Sequence, residues 1–193
     1  MKVKQFITTQ MLTRMALLIA LNIILSRFLS VRIPLGGAEG LRIGFGSVPV
    51  IFAGVFMGPL AGGIVGAVGD MIGYFINPIG AYMPHFTLTA ALRGVIPGLI
   101  ILLMARGRKE VGIFPLFLAV SITLVTVEIF MIPYFIETLF GVFRTVLVPP
   151  RIIQNVISIP AYTMLLFALG RATERVFSPA PGQGILHLSG KIW

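Results

Sequence analysis

Long apolar runs alternate along this chain with short polar stretches rich in glycine, proline or arginine, and each run approaches the length of a bilayer-crossing helix. The pattern predicts helices over residues 9–30, 43–57, 60–76, 85–105, 112–136 and 151–170. Arg14 and Arg27 flank the first, where long side chains snorkel toward the interfaces. Ala16 and Ala20, four apart, put two small residues on one face, a spacing that serves packing inside the bundle or the close approach of another helix. The second run is short and carries Pro49, which predicts a tilted or broken helix of the kind that borders a polar site. The third follows a tight Gly58-Pro59 turn and places Gly62, Gly66, Gly69 and Gly73 at spacings of three and four. That bare face suits close helix packing and leaves room for a flat ring.

The intervening stretches read as loops: residues 31–42 (VRIPLGGAEGLR), 77–84, the basic run ARGRKE ending at Glu110, and 137–150 with its Pro149-Pro150 pair. Pro97 and Pro160 predict kinks in the fourth and sixth helices. Residues 1–177 form one membrane-embedded domain in this reading, and 178–193 a flexible cytoplasmic tail.

Composition sharpens the pattern into a class. The chain has 193 residues, 57% hydrophobic and only 11% charged, far from the roughly 25% charged residues of a soluble domain. An all-α membrane protein of six helices in the lipid bilayer follows. The net charge of +9 does not indicate nucleic acid, because the basic residues stand singly or cap apolar runs. There is no cysteine, and His85 and His187 are isolated, so neither a metal site nor a bound cofactor is expected. With the N-terminus in the cytoplasm, Lys2, Lys4, Arg14, Arg106, Arg108, Lys109, Arg171, Arg175 and Lys191 fall inside, against Arg27, Arg32, Arg42, Arg144 and Arg151 outside. Both termini are then cytoplasmic, and the arginine-rich outer mouth would concentrate an anion.

Four polar residues stand out within the apolar runs. At the helical rise, Asp70 lies about 10 Å below Asn77, Arg93 about 13 Å below Pro84, Glu128 about 8 Å from Pro133 and Asn155 about 6 Å from Arg151. A charge in hydrocarbon is costly, so these groups must face one another or a wet cavity. Asp70 and Arg93 form either an ion pair tying two helices or a ligand site, with Asp70 accepting ring N–H groups and Arg93 acting as counter-ion. Asn155 suits a heteroaromatic edge or a helix–helix hydrogen bond. Tyr74, Phe75, Tyr82 and Phe86 are candidates to stack on a flat ring. No nucleophile has a paired base, and GILHLSGKI from Gly184 lacks the glycine spacing and the Ser/Thr of a phosphate loop. No enzyme is expected.

LSRFLS (25–30), LRIGFGSVPVIFAGVFMGPLAGGIVGAVGDMIGYF (41–75), FTLTAALRGVIPG (86–98) and PPRIIQNVISIP (149–160) together resemble the S components of energy-coupling factor (ECF) vitamin transporters, most closely the folate-specific branch. The resemblance implies a six-helix S-component fold. It also implies capture of folate outside the cell membrane of a prokaryote, and delivery to a module of one transmembrane coupling protein and two ATPases. It assigns Ala16 and Ala20 to docking on the coupling protein. Folate's pterin would then meet Asp70, Asn155 or Tyr74, and its dianionic tail Arg27, Arg42, Arg93 or Arg151. An S component for another anionic vitamin such as pantothenate, a self-sufficient small-molecule transporter and a purely structural subunit are the alternatives.

Overall fold

The computed structural model describes residues 9–35, 38–78, 82–104 and 112–177. Helix α1 (Thr9–Ile23) runs on through a π-helical turn at Ile24–Phe28. A hairpin of β1 (Val31–Leu35) and β2 (Ala38–Ile43) leads to α2 (Ser47–Met57), α3 (Pro59–Ile76) and α4 (Pro84–Met104). Helix α5 (Ile113–Leu124) continues through a second π-helical stretch, Val125–Met131, into α6 (Ile132–Phe140). Helix α7 spans Arg144–Phe177. Five of these helical units are long and apolar enough to cross a membrane, and α2 is a shorter apolar helix, among the described residues.

The short second helix is explained by its surroundings. Residues Val48 to Phe56 are all buried, so α2 is apolar all round, as a helix enclosed by others must be. Packing against α3 and α4 is backbone to backbone. A Cβ on Gly54 would lie 2.0 Å from the Gly94 carbonyl oxygen, and one on Gly94 would lie 2.2 Å from the Gly62 carbonyl. Ile51, Ala53, Val65 and Ile101 fill the adjoining core, continuous with Leu116, Val120 and Leu166 of α5 and α7. The outer surfaces are the reverse of a soluble protein, with Leu17, Leu60, Leu103, Phe114, Val156 and Met164 largely exposed to the space a bilayer occupies.

Two stretches expected as loops are ordered elements instead. Residues 31–35 and 38–43 pair as antiparallel strands in which Val31 faces Ile43, Arg32 faces Arg42 and Ile33 faces Leu41, with an irregularity before the Leu35–Ala38 pair. Val, Ile and Leu alternate with charged residues there, which is a strand pattern that the glycines and proline obscured. The 137–150 loop shrinks to the turn 141–143, at which Gly141 adopts φ 69°. Helix α6 runs to Phe140, and α7 starts before the Pro149-Pro150 pair and passes through it. Two prolines free two carbonyls, yet in hydrocarbon an irregular chain would free more, so the helix persists. The basic run at 105–110 and the segment from 178 onward lie outside the described residues.

A polar cavity braced by two arginine–carboxylate clusters

The cavity lies between α1, the start of α2, α3, α4, the α5–α6 unit and α7. Its walls carry Arg27, Asp70, Arg93, Glu128, Arg151 and Asn155, together with Asn22, Ser26, Thr89, Gln154, Ser158 and Tyr162. Charges are placed in it by local helix geometry. Arg27 sits in the first π-helical turn, where the Leu29 N–H donates to Ile24, five residues back, at 3.3 Å. Glu128 sits in the second. Pro133 has no N–H to offer the Ile129 carbonyl, and the turn before it is the one that widens. A π turn re-aims the side chains it carries, which is one reason such turns recur at functional sites.

The ion pairs differ from the one expected. Asp70 pairs with Arg27, not with Arg93: Arg27 Nη2 lies 3.4 Å from Asp70 Oδ1. Arg27 also donates to the Asp70 and Asn77 carbonyls. The other carboxylate oxygen of Asp70 accepts from Thr87 Oγ1 at 2.9 Å, and Thr87 is in turn 2.9 Å from the Tyr82 hydroxyl. Arg93 pairs with Glu128 at 2.6 Å, and the second oxygen of Glu128 takes Arg151 at 3.0 Å. Sequence spacing put Asp70 and Arg93 on neighbouring helices but could not give their rotation. Helix α3 turns Asp70 toward α1, and α4 turns Arg93 toward the α5–α6 unit.

Arg27, Asp70, Arg93, Arg151 and Asn155 are thus brought together on the cavity wall. Tyr74 is not; its ring packs on Tyr82 at 5.2 Å and on Phe75 at 5.9 Å. Arg42 lies on β2 opposite Arg32, and only its backbone path is described. Ala16 and Ala20 both face outward from α1, so they do not pack within the bundle. The glycine face of α3 is largely taken. Gly69 leaves room for Asn22 of α1, whose Oδ1 a Cβ would approach to 2.5 Å, and Gly73 leaves room for Arg27. Gly66 alone of that face lines the cavity.

Sequence reasoning missed Asn22, Ser26, Thr87 and Tyr162, and gave Glu128 no place among the binding residues. A signal was available. Asn22, Ser26 and Ser30 recur every four residues, and Arg151, Asn155, Ser158 and Tyr162 follow intervals of four, three and four, each a polar stripe on one helical face. Asn22 Nδ2 donates to the Gly46 carbonyl at 2.7 Å, and the Tyr162 hydroxyl donates to the Gly44 carbonyl. These bonds tie the 44–46 segment, which follows the hairpin, across the cavity to α1 and α7.

Known proteins are similar to this chain in sequence and fold. The family model for the S component of the ECF-type riboflavin transporter matches residues 6–171. Folate transporter FolT of Clostridium novyi (strain NT) is 36% identical over 162 residues, which cover 84% of this chain and 88% of that protein. A crystal structure of FolT bound with folic acid superposes with a TM-score of 0.71 at 29% identity, over 88% of this chain and 98% of that one. The S component of a bacterial ECF transporter shares the fold, with a TM-score of 0.65 at 22% identity over the same shares of the two chains. With the match running through every described membrane helix and the relatives covered almost end to end, this chain belongs to the family of ECF-type transporter S components.

Proposed function

We propose that this chain captures folate from outside the cell membrane of a prokaryote and delivers it to an ATP-driven ECF module. The observation that carries the reading is the 36% identity to a folate transporter across 84% of the chain. The cavity agrees with it in chemistry. Three guanidiniums face two carboxylates on its walls, leaving one net positive charge for a ligand with an anionic tail. Arg27, Arg42, Arg93 and Arg151 are the proposed partners of the tail, Asn155 donates beside them, and Asp70 acts on the ligand through Arg27. Both termini are placed in the cytoplasm by the distribution of lysine and arginine.

Riboflavin is the second reading, favoured by the description of the matching family model. It is uncharged and would leave the cavity charge uncompensated. Purified protein titrated with folic acid, riboflavin and pantothenate decides between them. Folic acid is expected to bind at least about a hundredfold more tightly than either, a difference of roughly 3 kcal/mol. Tight binding of another vitamin, with none of folic acid, sinks the folate reading.

The proposed partners are one transmembrane coupling protein and two ATPases, with Ala16 and Ala20 as the contact on α1. Leu12, Leu17 and Leu21 surround them as exposed apolar residues, so a second helix can approach closely there. Ala16→Trp with Ala20→Trp is expected to abolish folate uptake in cells, by blocking assembly, while purified protein binds folic acid as before. Full uptake by the double variant would overturn this docking face.

A further inference from the structure

Glu128 is the only residue on the cavity wall that holds two guanidiniums at once among the described residues, one on each carboxylate oxygen. The triad Arg93–Glu128–Arg151 joins three separate helical units, and its side chains are only 18%, 14% and 4% exposed. Such a triad is a poor device for stability, because desolvating three charges offsets most of the attraction between them. Two donors beside it are left over. Arg93 Nε and Asn155 Nδ2 are buried without a hydrogen-bond partner, and both residues line the cavity. Asn155 is 3% exposed and stands one helical turn from Arg151 on the same face of α7. A buried donor is costly when unmet, so these two mark where acceptor oxygens of a ligand belong.

We infer that Glu128 is a positioning and specificity-determining residue. It holds Arg93 and Arg151 in place so that the triad, with Asn155, forms a seat for a carboxylate of the ligand, apart from the seat that receives its uncharged ring. The inference deepens the folate reading and rests on it. Glu128 also sets the charge of the seat. With it, two guanidiniums carry one net positive charge, which a single carboxylate neutralises. Without it the arginines repel each other and lose their common anchor. In Glu128→Gln the amide oxygen can accept from one arginine only, and the amide N–H groups face the other.

The test is a ligand series on purified wild type and variants: folic acid, pteroic acid with its single carboxylate, and pterin with none. Glu128→Gln is expected to weaken folic acid about tenfold or more while leaving pterin within about threefold. Equal loss for all three ligands would make Glu128 a merely structural residue, and no loss for any would remove it from the site; either result overturns the inference. Arg93→Lys is the second variant, since a lysine still pairs with Glu128 but lacks Nε. It is expected to lose folic acid selectively in the same way, and if Glu128→Gln does not fold this variant decides the matter. Failure of wild type to bind folic acid would instead refute the folate reading, before any variant is compared.

Discussion

Gly94→Ala is expected to abolish assembly of the bundle. A Cβ at this position would lie 2.2 Å from both the carbonyl carbon and oxygen of Gly62, and 2.7 Å from its Cα. Those are backbone atoms of a neighbouring helix and cannot rotate away. Relief requires α4 to move off α3, which would break the Gly54–Gly94 approach on the α2 side as well. Overpacking in cores costs about 1–3 kcal/mol where side chains can adjust, and more where they cannot. The upper end or beyond is expected here, enough to unfold a typical domain in combination with mild detergent stress. Size-exclusion profile and thermal stability in detergent measure it. Gly112→Ala is the control, because the nearest atom to its new Cβ is Pro115 Cδ at 3.5 Å, an ordinary contact. A monodisperse Gly94→Ala with unchanged melting would show that the three helices are not joined through their glycines.

This glycine contact also shows which parts of the fold were legible beforehand. The spacing of Gly62, Gly66, Gly69 and Gly73 announced a close-packed face, and apolar run length announced the crossing helices, since both are local properties of a helix. Which neighbour fills that face is not local. Gly62 meets α2 and α4, whereas Gly69 and Gly73 receive Asn22 and Arg27 from α1. The 31–43 hairpin was hidden for a different reason: Pro34 and three glycines read as loop, and the strand alternation was too short to outweigh them. Pro149 and Pro150 misled in the same direction. Turn propensities measured against water overstate how readily a chain breaks its helix where no water can take up the freed carbonyls.

The site was legible as a set of residues but not as a set of pairs. Cost in hydrocarbon was enough to assemble Asp70, Arg93, Glu128 and Asn155 as one layer from the sequence, and the family resemblance added Arg27 and Arg151. Pairing depends on helix rotation, and rotation was altered by the π turns that carry Arg27 and Glu128. A straight 3.6-residue count cannot place a side chain beyond such a turn. Glu128 was undervalued for this reason, although it pairs with two arginines, Arg93 and Arg151.

The pairing of Asp70 with Arg27 leads to the second large effect, expected when the two are changed together. Arg27→Met is expected to lower folic acid affinity roughly a hundredfold, about 3 kcal/mol, because it removes a guanidinium that is only 8% exposed on the cavity wall. Asp70 presents one oxygen to Arg27 and the other to Thr87, so its direct reach to a ligand ring is already largely spent. Asp70→Asn should therefore act through Arg27 and weaken binding about tenfold, and the double variant should be no weaker than Arg27→Met alone, a coupling of about 1.4 kcal/mol. A carboxylate oxygen has a second lone pair, however, and an Asp70 that accepted a ring N–H as well would give a different cycle. Additive losses, near a thousandfold in the double variant, would assign Asp70 its own ligand contact. Binding isotherms for the four proteins, with melting temperatures to confirm that each is folded, separate an aspartate that positions an arginine from one that reads the pterin.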